Sequence, residues 1–200
     1  VTLIEEVRNM KLRLDAPDVN TSEYKFTVSE DGRILYGLGA IKGVGEGPVE
    51  AITESRLAGP FKDLFDFCAR VDLKRINKRT LDGLIRSGAL DRLGPYFEIE
   101  PKAYQANIDR NRSVLLAALE EAIQAAEQTA RSHDSGHSDL FGGLFVEEDA
   151  DVYANHRKAK ELSLKERLRG EKETLGLYLT GHPIDEYEGE IRRFARQRII

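Results

Sequence analysis

With only one cysteine, Cys68, in 200 residues, the chain cannot close an internal disulfide, and a reducing, cytoplasmic setting fits best. Long apolar runs are missing as well. None approaches the length of a membrane span, and no signal-peptide pattern opens the chain. Cys68 has no basic neighbour in Leu64-Phe65-Asp66-Phe67-Cys68 that would activate a thiol, which leaves it the role of a small buried hydrophobe. No nucleophile, base and metal ligands are grouped in the sequence, which argues against catalysis by this chain alone. His133-Asp134 and His137-Asp139 fall in a Gly- and Ser-rich stretch that would give zinc ligands no rigid support. Asp149-Ala150-Asp151 sits in an acidic run with no strand pattern, so it reads as solvated linker rather than a two-metal carboxylate pair. His182 precedes a proline at a helix end and has no evident partner. No metal or cofactor is assigned.

What is present is unevenly charged. The net charge of -5 argues against a polyanionic partner only if it is spread evenly. Arg70, Lys74, Arg75, Lys78, Arg79 and Arg86 crowd one stretch against Asp72 and Asp82 alone. Between Ser132 and His156 there is no Lys or Arg, while Asp134, Asp139, Glu147, Glu148, Asp149 and Asp151 accumulate. A basic face and a separate acidic linker are the expectation.

The stretch Ile41-Lys42-Gly43-Val44-Gly45-Glu46-Gly47-Pro48 carries the most information. Glycine permits left-handed backbone and close approach by another molecule, and Pro48 suits the first turn of a helix. A tight turn at a helix N-terminus offers main-chain N–H groups to an anion. Lys42 precedes the glycines and no Gly-Lys-Ser/Thr follows, so this is not a Walker loop. The spacing resembles a helix-hairpin-helix element. The amides of Gly43, Val44 and Gly45, with Gly47 in the same turn, would hold one phosphate, and Lys42, Lys74, Arg75, Lys78 and Arg79 would add diffuse attraction. The competing readings are a plain tight connection and a solvent-exposed cationic face without a ligand.

Along the chain, the pattern predicts a mainly α fold with a small N-terminal β-hairpin. Val1 to Met10 reads as the end of an amphipathic helix, and the lack of an initiator methionine suggests an excised fragment. Tyr24, Phe26 and Val28 alternate with polar residues, as do Ile34 and Tyr36, around Asp31-Gly32. A short helix, Leu38 to Ile41, then leads through the glycine turn into a second, about 47–56. A loose second copy follows: a helix capped by Asp63, a turn from Val71 to Ile76, and a helix capped by Asn77. Residues 95–112 read as a loop, Ser113 as the cap of a long helix to about Arg131, and 184–195 as a last amphipathic helix. The expected organisation is 1–36, hairpin region; 37–131, tandem helix-hairpin-helix unit with the long helix; 132–156, acidic linker; 157–200, helices leading toward a further domain.

Taken together, YGLGAIKGVGEGPVEAI, FKDLFDFCARVDLKRINKRTLDGLIRSGALDRLG and EKETLGLYLTGHP, with DAPDVNTSEYKF before them, closely resemble the bacterial replicative DNA polymerases of the DNA polymerase III alpha subunit family. The resemblance covers nearly the whole chain. It implies the end of the fingers region followed by the tandem helix-hairpin-helix, clamp-binding domain. The partners it implies are duplex DNA, the sliding clamp (beta subunit) and other replicase subunits. The family's nucleotidyltransferase chemistry uses magnesium at palm carboxylates, and nothing here matches those. The family's clamp-binding peptide, usually opening with Gln and closing in Leu-Phe, aligns with His137, Ser138, Asp139, Leu140 and Phe141. Leu140 and Phe141 stand among Gly, Ser and Asp, where no core claims them, which suits a short linear motif entering a partner's pocket. His137 departs from the usual Gln. Leu144-Phe145 offers a second register. An architectural domain without direct DNA contact is the alternative.

Overall fold

The computed structural model describes residues 6–134 and 151–189, Arg8 and Glu188 excepted. The expected mainly α architecture is found. Among the described residues lie five helices, α1 (Glu46–Ser55), α2 (Leu64–Arg70), α3 (Lys78–Ser87), α4 (Pro101–Asp134) and α5 (Leu164–Leu175), with short 3₁₀ turns beside several of them. A three-stranded sheet of order β1-β3-β2 precedes them: β1 (Leu14–Asp15), β2 (Thr27–Val28) and β3 (Ile34–Leu35). The β2–β3 pair is the expected antiparallel hairpin, with Val28 opposite Ile34. Strand β1 joins it in parallel, Leu14 opposite Ile34, and is too short to leave an alternation signal.

The core forms where α4 runs against α2 and α3. Leu64 and Phe67 of α2, Leu81, Leu84 and Ile85 of α3, and Val114, Leu115, Ala118 and Ala122 of α4 are all buried. The apolar stripe read from the sequence is therefore the packed face. Helix α4 begins at Pro101 and not at Ser113, however. Proline suits a first helical turn, and the Glu100 carboxylate accepts the Ala103 N–H at 2.7 Å. Ser113 lies mid-helix and donates its hydroxyl to the Arg110 carbonyl at 2.9 Å. The loop expected over 95–112 is thus mostly helix. The predicted helix at 38–41 is a single 3₁₀ turn, Leu38–Ala40. Another 3₁₀ turn, Pro183–Tyr187, opens the span 184–195, and most of the rest of that span lies outside the described residues.

Residues 151–156, expected in the linker, dock on the core. Tyr153 is buried, donates its phenol O–H to the Leu93 carbonyl at 2.6 Å and accepts the Leu64 N–H at 2.8 Å. It satisfies the first free N–H of α2 from a distant point in the chain.

A buried ionic group ties α4 and α5 to the 3₁₀ turn Asp91–Leu93 that follows α3. Arg112 of α4 bonds both Asp91 oxygens through Nε (2.9 Å) and Nη2 (2.8 Å), and Glu171 of α5 through Nη1 (3.0 Å). Burial alone would lower the Arg112 guanidinium, but Asp91 and Glu171 hold it above its ordinary value. Glu171 also accepts the N–H groups of Leu179 (2.8 Å) and Thr180 (3.0 Å), which fixes the chain leaving α5. Gly88, at φ 89°, lies against this group: a Cβ there would come within 2.5 Å of Arg112 Nη2. Among the described residues, no helix is long and apolar enough to cross a membrane.

Candidate nucleic-acid interface

The glycine turn hangs on three anchors. Gly43 takes φ 85°, which a side chain would strain. The Lys42 N–H donates to the Thr174 carbonyl of α5 at 2.8 Å, and the Val44 N–H donates to the Ile41 carbonyl at 3.0 Å. Val44 itself is buried. The Val44 amide, read from the sequence as part of the phosphate seat, is therefore spent on closing the turn.

Helix α1 starts at Glu46 with Gly45 as its N-cap, at φ -80° and ψ -177°, and no side chain caps it. Its neighbours differ. Asp63 accepts the Asp66 N–H at 2.8 Å, Asn77 the Thr80 N–H at 2.9 Å, Ser163 and Glu166 form a capping box, and Glu100 serves α4. The amides of Gly43, Gly45, Glu46 and Gly47 meet no acceptor among the described residues. A Cβ built at Gly45 or Gly47 would find nothing within 4 Å. Neither glycine is demanded by packing inside this chain, so the space they leave is open to something outside it. Gly43, Gly45 and Glu46 are exposed.

The second hairpin lies against the first. Asp72 closes its turn by accepting the N–H groups of Arg75 (2.9 Å) and Ile76 (3.2 Å) through its carbonyl and that of Lys74 (2.9 Å) through its carboxylate. Thr80, in the first turn of α3, donates its hydroxyl toward the Gly43 carbonyl at 3.4 Å. A Cβ at Gly83 would lie 4.0 Å from the Lys42 carbonyl oxygen. The first turns of α3 thereby lie beside the glycine turn that leads into α1.

The cations divide into two groups. Lys42, Lys74 and Arg79 are exposed and form no ion pair among the described residues. Arg75 is held by Glu50 (2.5 Å) and Glu54 (2.9 Å) of α1, and Lys78 by Glu120 of α4. The hydrogen bond from Lys78 pulls the exposed Glu120 carboxyl below its ordinary value. Arg75 and Lys78, expected as phosphate ligands, thus carry much of their charge into intramolecular pairs. Arg70 caps the end of α1 through the carbonyls of Ser55 (2.8 Å) and Gly59 (2.6 Å), and Arg86 pairs with Asp82 at 2.7 Å. Cys68 is buried, and burial pushes its thiol up to about 12.

His137, Ser138, Asp139, Leu140 and Phe141 lie outside the described residues, as does Leu144-Phe145. The Tyr153 contacts and the buried Arg112 group escaped the sequence reading. The open start of α1 did have a visible signal: a glycine where the other helices carry Asp, Asn, Ser or Glu.

The helix-hairpin-helix motif family matches residues 11–96, which span the sheet and both hairpins. The chain is 89% identical over 200 residues to DNA polymerase III subunit alpha of Pseudomonas fluorescens, covering 100% of this chain and 17% of that protein. The same subunit of Pseudomonas aeruginosa is 80% identical, again over 100% of this chain and 17% of its own length. That of Escherichia coli K12 is 45% identical over 196 residues, 98% of this chain and 16% of its own. The chain therefore spans less than a fifth of the length of the relatives it matches.

Proposed function

Because the chain belongs to the DNA polymerase III alpha subunit family, we propose that it is the part of such a polymerase that holds duplex DNA by its phosphates and tethers the enzyme to the sliding clamp. The observation that carries the first half is the open start of α1, the one of the five helices without a side-chain cap at its N-terminus. A phosphate seated there takes hydrogen bonds from Gly43, Gly45, Glu46 and Gly47 and the favourable end of the helix dipole. Lys42, Lys74 and Arg79 neutralise neighbouring phosphates and release counterions. Main-chain amides and solvated cations read no base edges, so binding follows the backbone and not the sequence. That suits a polymerase, which must hold any template.

The tether is assigned to His137, Ser138, Asp139, Leu140 and Phe141. Leu140 and Phe141 would enter an apolar pocket on the clamp ring and raise the effective concentration of polymerase at the primer end. Other replicase subunits would meet the same polypeptide.

A salt titration with labelled duplex tests the grip. Lys74→Glu combined with Arg79→Glu should weaken binding and lower the salt slope by about two. Undetectable binding of the unmodified chain at low salt, or an unaltered slope, leaves only the architectural role. For the tether, Leu140→Ala with Phe141→Ala should abolish clamp capture while the thermal transition stays in place. Equal capture moves the assignment to Leu144-Phe145.

A further inference from the structure

A second cationic surface lies apart from the hairpins. Arg110 of α4 and Arg157 of the docked segment both sit over the ring of Tyr96, at 4.2 Å and 5.2 Å from its centroid. Two like charges share one aromatic ring, which costs repulsion that the ring's face only partly offsets. Arg157 is paired with Asp151, but among the described residues Arg110 pairs with Glu161 alone, at 4.0 Å, and both of those side chains are exposed. Lys158 and Lys160 follow in the same run, exposed and without an ion pair among the described residues.

These charges are not on a loose tail. The Tyr153 hydrogen bonds to Leu64 and Leu93, and the contact of His156 Nε2 with Glu121 at 2.6 Å, fasten the run to the core on both sides of Ala154. Cations held in place lose less freedom on meeting an anion than the same cations on a linker. Along α4, Arg110 precedes Glu120, where Lys78 is anchored, by about 15 Å at ~1.5 Å per residue. At one duplex charge per ~1.7 Å of axis, a single DNA segment is long enough to meet both regions.

We propose that Arg110, Arg157, Lys158 and Lys160 form a second phosphate-contacting surface for nucleic acid, distinct from the helix-hairpin-helix turns. The four cations outnumber Asp151 and Glu161 beside them and are exposed, and two of them share an aromatic ring, which fits a polyanionic backbone.

The test uses the full chain and a labelled DNA duplex of arbitrary sequence. Lys158→Glu with Lys160→Glu should lower affinity about tenfold and reduce the salt slope by about two, with the thermal transition unchanged. Lys158→Gln with Lys160→Gln should give the same slope change if charge reversal disturbs folding, and Arg110→Gln should remove about one further unit. Affinity and slope equal to those of the unmodified chain in all three variants overturn the proposal. The hairpin variant Lys74→Glu with Arg79→Glu separates the two surfaces. Additive losses support both. Loss in the Lys158 and Lys160 variants alone supports this surface and refutes the hairpin grip, and loss in the hairpin variant alone does the reverse.

Discussion

Gly45→Asp should strengthen the fold and weaken the proposed grip at once. Gly45 has φ -80° and ψ -177°, backbone that any residue adopts, and a Cβ there meets nothing within 4 Å. The substitution is therefore sterically free. Aspartate at an N-cap accepts a hydrogen bond from the second or third helical N–H. Here the third position is Pro48, which has none, so the bond goes to Gly47. The expected gain is about 0.3 kcal/mol from the cap, with a few tenths more from a negative charge at the dipole's positive end. The same carboxylate occupies the place of the phosphate and repels it. Losing a charge-assisted hydrogen bond of about 1.5–3 kcal/mol corresponds to a ten- to hundredfold weaker complex. Thermal unfolding and fluorescence anisotropy with labelled duplex, at one fixed salt concentration, read the two effects separately. Gly45→Ser caps without adding charge and should show the gain with a smaller loss of binding. A stabilised variant that binds duplex as well as the original refutes the phosphate seat, and a destabilised one refutes the reading of α1 as an uncapped helix.

Other substitutions probe the frame. Arg112→Met removes the countercharge of Asp91 and Glu171 and should cost about 3–5 kcal/mol, a fall in melting temperature of about 10 °C; a loss under ~1 kcal/mol would show that these carboxylates find other partners. Tyr153→Phe leaves the Leu64 N–H and the Leu93 carbonyl unpaired and should cost about 1–3 kcal/mol in chemical denaturation. It should also speed proteolysis near residue 153, and an unaltered cleavage rate would mean that the segment does not depend on that phenol. The buried Cys68 thiol ionises in the unfolded chain near 9.0 but in the fold only at about 12. Its contribution to stability should hold below pH 9 and decline as the pH rises toward 12, which urea unfolding of the original and Cys68→Ala across that range would register.

The parts legible in the sequence were those with a local cause. Asp63 and Asn77 announced α2 and α3 as caps, and the stripe Val114, Leu115, Ala118, Ala122 announced the buried side of α4. Asp31-Gly32 placed the hairpin, whose Gly32 takes φ 77°. The errors came from distant partners. Ser113 imitates a cap because an apolar stripe follows it, yet α4 continues upstream of it with Ile108 buried. Tyr153 follows an acidic run and looks like linker, and only its bonds to Leu64 and Leu93 place it in the core. Arg75 and Lys78 were read as phosphate-facing cations around a hairpin. Their partners Glu50, Glu54 and Glu120 come from other helices, and no spacing rule connects them. EKETLGLYLTGHP gains a physical reason: Glu171 neutralises Arg112 and holds the amides of Leu179 and Thr180.

Backbone amide chemical shifts, followed by NMR while unlabelled duplex DNA is added at low salt, address the phosphate seat itself. The signals of Gly43, Gly45, Glu46 and Gly47 should move most within the first hairpin, whereas those of Lys42 and Val44, bonded to Thr174 and Ile41, should move far less. Saturating DNA that leaves those four amides where they were would mean that the chain does not hold a phosphate at the start of α1.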